Sequence, residues 1–185
     1  MNILDQFSGS LRDWRDWQSE AHSLRRAALI LRQEAQRDWD NRKRSRVAIA
    51  EGTFDFPPAL EGAMTMLNGL AIENLVKALW VQTNEPVNEK GRLIEHLKRH
   101  NNTICLLKEV NFTLSHEDEE LLLRLENYVT WAGRYPMPGS YKRLAPQQLR
   151  DGTKIPLYYH TFNNDEERIS KLIERIEQEL IYKKR

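Results

Sequence analysis

The sequence predicts an all-α protein, a bundle of four or five helices with a long irregular segment before the last helix. Apolar residues recur at steps of three and four over most of the chain. No alternation of strands with helices is visible, which argues against a parallel sheet. Glycine and proline gather in residues 52–58 and 133–156 and so divide the helical pattern.

Composition narrows the class of protein. The 185 residues suit one helical domain, 1–185, and the net charge of +1 gives no overall field that would attract nucleic acid or a membrane. Cys105 is the single cysteine, so the sequence offers no disulfide within the chain and no Cys/His zinc site, and we expect neither metal nor cofactor. A reducing cytoplasm fits this usage. The most apolar run, 63–81, is interrupted by polar residues, so we expect no membrane span.

The N-terminal helix, 8–40, shows its periodic pattern from Ser10 to Asp40, with Ser8 or Ser10 as the cap. Its length predicts a kink or a projecting end. The basic stretch NRKRSR, 41–46, follows. It has two interpretations, a strip that binds phosphate or a solvated helix end whose cations suit the helix dipole.

The core segment, 58–138, opens with a helix from Pro58 to Thr83 that is apolar almost all round and therefore belongs in the centre of the bundle. Gly69 within it lowers helix propensity by about 1 kcal/mol, which predicts close approach of another helix. Glu73 and Lys77 are spaced for an ion pair, with Asn74 beside them. Either these groups pair internally, or Glu73 and Asn74 face a cleft.

Two further helices complete the core. One spans 89–100, where His96 and His100 share a face without the acidic pattern of a zinc site. His96 is therefore either structural or a proton-transfer group. The next helix starts at Ser115, which makes a capping-box-like pair with Asp118, and it buries a leucine stripe before Gly133 ends it.

The end of that helix brings large aromatic side chains and an arginine close together in the sequence. Arg134 lies between Trp131 and Tyr135, and Pro136 prevents the helix from continuing. A guanidinium in this position can stack on aromatic rings and bind a carboxylate or a phosphate through two hydrogen bonds. Its partner is either Glu73 inside the protein or an external phosphate.

The irregular segment, 139–162, includes a stretch, 154–162, that suits an extended conformation. The C-terminal helix, 163–183, has its pattern from Asp165 to Tyr182 and Asn163 or Asn164 as the cap. We expect a homodimer, because the central helix needs cover on every side and because the tryptophans of the first helix and the Ile/Leu stripe of the last suit an interface. Alternatively, residues 136–162 wrap a monomer.

Three stretches in this order carry a family resemblance: GLAIENLVKALWV, EHLKRH and ENYVTWAGRYPMP. Together they resemble the HEPN superfamily (higher eukaryotes and prokaryotes nucleotide-binding domains), and in particular a bacterial branch with a WAGRYP-like helix end. The resemblance covers residues 60–138. It implies a dimerising helical bundle with a link to RNA or nucleotides. Many members are metal-independent ribonucleases of toxin or defence systems, and their Arg-x4–6-His motif is not found after Arg134. Either the ribonuclease chemistry is absent, or another histidine, such as His96 or His160, replaces the missing one in space.

Within that resemblance, a catalytic site would use His96 as base, Arg134 to stabilise charge on the phosphate, and Glu73 to orient one of them. The remaining candidate binding residues are Asn74, Lys77, Trp131 and Tyr135. We expect Glu73, Asn74, His96 and Arg134 to converge in one pocket. The alternative function is a non-catalytic module that binds a partner protein or a nucleotide.

Overall fold

The computed structural model describes residues 13–44, 60–84, 103–132, 147–148, 152–155 and 162–182. These ranges contain five α-helices: α1 (Trp14–Arg44), α2 (Glu61–Asn84), α3 (Thr103–Glu109), α4 (His116–Asn127) and α5 (Phe162–Tyr182). A π-helical turn, Tyr128–Ala132, continues α4. Two short strands, β1 (Gln147–Gln148) and β2 (Lys154–Ile155), pair antiparallel. The predicted all-α class is confirmed.

Helix α1 is one uninterrupted α-helix of 31 residues, roughly 46 Å long at the usual rise per residue. Its cap is Asp13, whose carboxylate accepts the backbone N–H of Arg15 at 2.9 Å. The predicted caps, Ser8 and Ser10, lie outside the described residues. The helix continues to Arg44, past the predicted end at Asp40, so the first four residues of the basic stretch are helical.

The central position of α2 follows from its apolar surface. Helix α1 packs along it through Ala21, Ala28 and Ala35, which are buried and spaced by seven residues, so small side chains face α2 along one seam. Helices α3, α4 and α5 and the π turn cover the other sides. The buried residues of α2 are Met64, Asn68, Gly69, Ala71, Ile72, Leu75, Val76, Ala78, Leu79 and Val81.

Buried polar groups connect α5 to the bundle. Arg25 of α1 donates to Asn68 Oδ1 at 2.7 Å, to Ser170 Oγ at 2.9 Å and to the carboxylate of Glu166. Arg124 of α4, whose side chain is 6% exposed, pairs with Asp165 at 2.6 Å. These bonds fix α5 against α1, α2 and α4, because a buried charge without its partner would destabilise the fold strongly.

The apolar stripe of α5 is buried inside this chain. Its members are Ile169, Leu172, Ile173, Ile176 and Leu180. The prediction that this stripe offers an interface was therefore wrong, because the stripe packs on the bundle itself. Helix α5 also begins at Phe162, so the predicted caps Asn163 and Asn164 lie in its first turn.

The start of α4 forms as predicted. Ser115 Oγ accepts the N–H of Asp118 at 3.1 Å, and Asp118 accepts the N–H of Ser115 at 2.8 Å, which completes a capping box. Burial acts to raise the pKa of Asp118, but hydrogen bonds from Arg175 and Ser115 lower it overall. Asn111 adopts a left-handed conformation, φ 59°, in the turn before this cap. Helix α3 was not predicted, and the predicted helix 89–100 lies outside the described residues.

Gly69 marks the close approach of α2 to the end of α4, as the sequence predicts. A Cβ built on Gly69 would lie 2.7 Å from Val129 Cγ2 and 3.1 Å from the Leu125 carbonyl oxygen. Val129 is β-branched and cannot turn aside easily, and the carbonyl belongs to a helix backbone. Only glycine therefore permits this helix spacing.

We expect Gly69→Ala to lower the free energy of unfolding, although alanine favours a helix by about 1 kcal/mol, because overpacking typically costs about 1–3 kcal/mol. Urea denaturation measures the change. The matched control is the same substitution in a Val129→Ala background, where the nearest clashing atom is gone and the loss should shrink. Equal losses in both backgrounds would show that Val129 does not set the spacing.

Candidate functional site

A pocket of about 160 Å³ opens beside this close approach, between α2 and the junction of α4 with the π turn. We call it the α2–α4 pocket. Among the described residues, its polar lining is Glu73, Thr103, Glu126 and Thr130. The other described lining residues are Gly69, Leu70, Ile72, Leu122, Leu125 and Val129. This part of the lining therefore combines two carboxylates and two hydroxyls with mainly apolar walls.

Helical spacing brings these side chains together. Glu73 lies one turn after Gly69 on α2, so it faces the same neighbour. Leu122, Glu126 and Val129 recur at steps of four and three along α4 and into the π turn, and so share one face. Single π turns inside helices are uncommon and occur often at functional sites.

Glu73 forms the predicted internal ion pair and also lines the pocket. Lys77 Nζ lies 2.5 Å from Glu73 Oε1, and both side chains are mostly buried. The same ammonium lies 5.2 Å from the ring centroid of Trp17, within cation–π distance. Lys77 is thus held by α1 and α2 together. Asn74 is half-buried and is not among the residues that line this pocket.

Glu126 is the second carboxylate of the pocket, and it is half-buried. Burial raises its pKa first, and the nearby charge of Glu73 raises it further. Within the described parts of the chain, Glu126 has neither a hydrogen-bond nor an ion-pair partner. The α2–α4 pocket therefore holds Glu73, which is paired with a lysine, and Glu126, whose charge is disfavoured by burial and by Glu73.

Several predicted site residues lie outside the described residues. His96, Arg134 and Tyr135 are outside the described residues, and Trp131 belongs to the π turn with its side chain also outside them. Of the two described residues among the four predicted to converge, Glu73 lines the pocket and Asn74 does not. The proposed convergence with His96 and Arg134 stays a prediction.

Three polar residues of the described lining were not predicted as site residues: Thr103, Glu126 and Thr130. A signal for Glu126 was present, since it falls on the same face as the buried Leu122 and so interrupts an apolar stripe just as Glu73 does. Thr103 had no such signal, because it belongs to a seven-residue helix that is too short to show a periodic apolar pattern.

Among the described residues, no group of three His, Cys, Asp or Glu side chains is arranged to hold a metal ion. None of the helices placed there is both long and apolar enough to cross a membrane. Comparison of the chain with protein-family models, with curated proteins and with solved structures gives no match.

The raised pKa of Glu126 makes a prediction about stability. Below its ordinary pKa of 4.5 the group is protonated in both states and costs nothing. As pH rises from that value through the raised pKa of the folded state, Glu126 loses its proton more readily in the unfolded chain than in the folded one. The free energy of unfolding therefore falls. We expect Glu126→Gln to have a larger free energy of unfolding than the natural protein at pH 7. This gain in stability should vanish towards pH 4.

Urea denaturation at several pH values provides the measurement. Glu179→Gln is the matched control, because Glu179 is an exposed glutamate of α5. It should change stability little at any pH. A loss of stability in Glu126→Gln that is the same at pH 4 and pH 7 would contradict this account.

Proposed function

We propose that this chain is a HEPN-like helical protein with a role linked to nucleic acid or nucleotides, and that the α2–α4 pocket is part of its ligand site. One observation carries the proposal: Glu126 is kept in a pocket without a partner among the described residues, although burial and Glu73 both oppose its charge. Groups held against their own stability are concentrated at functional sites. A residue that only packed would be more stable as an apolar side chain.

The reaction that fits best is metal-independent cleavage of RNA. The 2′-oxygen attacks the neighbouring phosphorus, a base takes the 2′-hydroxyl proton, and the 5′-oxygen leaves and takes up a proton. The product ends carry a cyclic phosphate and a free 5′-hydroxyl. In the proposal His96 acts as the base, Arg134 stabilises the phosphate charge, and Glu73 orients one of them.

Support for this proposal comes from the neighbourhood of the pocket in the chain. Glu126 precedes Arg134 by eight residues, and the π turn between them shows that the helix changes its winding there. Glu73 accepts a hydrogen bond from Lys77 at one oxygen, and a carboxylate has a second oxygen that can accept from a cation or a histidine.

We expect the purified protein to cleave RNA of mixed sequence in the presence of EDTA and to leave cyclic phosphate ends. The double variant His96→Ala, Arg134→Ala should lose this activity at least a hundredfold, since proton transfer alone typically contributes that much. Glu179→Gln serves as the control and should keep full activity. Cleavage that EDTA abolishes, or that survives the double variant, would rule out the proposed site.

A non-catalytic module is the second candidate, and the internal pairing of Glu73 favours it. Glu73 and Lys77 satisfy each other, and Trp17 covers the ammonium, so these groups serve the fold without any ligand. In this version the chain binds a partner protein or a nucleotide, and its helices supply the surface. Binding of RNA without cleavage would favour this candidate over a ribonuclease.

We also propose that the protein is a homodimer, although its interface is not the predicted apolar stripe of α5. With the stripe of α5 buried, the large exposed apolar residues in the described parts of the chain are Leu29, Ile30, Ile181 and Tyr182. Leu29 and Ile30 are consecutive residues of α1, and both are exposed, whereas the alanine seam that packs on α2 is buried. Adjacent exposed apolar side chains on a long helix suit a symmetric interface.

Light scattering at micromolar concentration should give a mass of about twice the 21.9 kDa of one chain. Ile30→Glu should shift the mass to that of one chain, because a charge cannot be buried there without a partner. Ile181→Glu tests the other patch in the same way. A natural protein that scatters as a single chain would exclude the dimer.

A further inference from the structure

The charge of the α2–α4 pocket decides what kind of group it accepts. Among the described lining residues none is lysine, arginine or histidine, whereas two are glutamates. Lys77 is close by, but it is bound to Glu73 and covered by Trp17. A phosphate placed here would lie beside Glu126 with no cation from the described lining to offset its charge. The described lining offers acceptors for N–H donors instead.

The size and walls of the pocket limit the ligand further. Its volume of about 160 Å³ is close to the roughly 150 Å³ of an engineered apolar cavity that holds one benzene ring. It has room for a ring system and not for a whole nucleotide. The apolar side chains Ile72, Leu125 and Val129 suit the flat faces of an aromatic ring.

The acceptors select among the bases. We propose that the α2–α4 pocket binds a guanine base, with the carboxylate of Glu126 accepting the adjacent N–H groups on N1 and N2. Glu126 is the acceptor because the described residues leave it unpartnered, and a carboxylate can accept two parallel N–H bonds. Adenine offers only its amino group on that edge. The proposal rests on the nucleic-acid-linked function proposed above and names the part of the ligand that the pocket reads.

A guanidinium group from a partner protein carries the same pair of donors and is the main competitor. It is smaller than a purine and would leave the apolar walls of Ile72 and Val129 uncovered. A purine covers them while its edge reaches Glu126. The observed combination of apolar walls and one unpartnered carboxylate therefore favours the base.

The test is a titration of the full chain, followed by amide NMR spectra, with guanosine, inosine, adenosine and methylguanidine. None of these probes carries a phosphate, so the basic stretches of the chain do not contribute. We expect guanosine to bind at least tenfold more tightly than adenosine, with inosine between them because it lacks the amino group on N2. The amide signals that shift should include Thr103 and Thr130.

Glu126→Gln should weaken guanosine binding about tenfold or more, as expected for hydrogen bonds to a charged group. Its thermal unfolding confirms that the variant folds, and Glu179→Gln is the control that should bind as the natural protein does. Binding of methylguanidine without guanosine would overturn the proposal and assign the pocket to a protein side chain. Binding of neither probe, or equal binding of guanosine and adenosine, would overturn it as well.

The outcome is separable from that of the cleavage assay. RNA cleavage with no binding of guanosine would defeat the base assignment and leave the ribonuclease proposal intact. Binding of guanosine with no cleavage would defeat the ribonuclease proposal alone and support the nucleotide-binding module.

Discussion

The close contact between α2 and the end of α4 at Gly69 is the constraint on which the rest of the bundle depends. Helix α2 is buried along most of its length, so every other described helix is positioned by how near it can come. At Gly69 the backbone of α4 comes within contact of α2, while one turn later Glu73 requires space. Tight packing and an open pocket are thus neighbours on one helix face.

Three arginines then fix the outer helices around α2. Arg25 ties α1 to α2 and α5, Arg124 ties α4 to α5, and Arg175 ties α5 to the turn that precedes α4. Hydrophobic burial does not specify direction, whereas these bonds require one rotation and one register of each helix. The polar network therefore holds the pocket walls in place from behind, without entering the pocket.

Helices with strong periodicity could be predicted from the sequence, and so could the features that depend on local chemistry. The Ser115 cap and the Glu73–Lys77 pair follow from residues a turn apart, and a glycine inside an apolar helix indicates the close approach at Gly69. The features that failed depend on distant parts of the chain. Nothing local shows that the stripe of α5 is buried by its own bundle, or that α3 brings Thr103 to the pocket.

Part of the site could be predicted for the same reason. Glu73 is predicted as a site residue because it interrupts an apolar helix, and the same reasoning applied to α4 selects Glu126. What the sequence cannot show is that the two carboxylates line one pocket. That placement matters for the chemistry, because carboxylate oxygens accept N–H donors.

A second pocket shows why the α2–α4 pocket is more than a packing defect. It measures about 20 Å³, close to the space of one water molecule, and Asn68 Nδ2 within it has no partner among the described residues. One water would satisfy that donor, and the space would be full. The α2–α4 pocket is eight times larger on the same measure, 160 against 20 Å³. No single water can fill it, and Glu126 in its lining has no partner among the described residues. Space and a carboxylate of this kind occur there together, which is the arrangement that a ligand would complete.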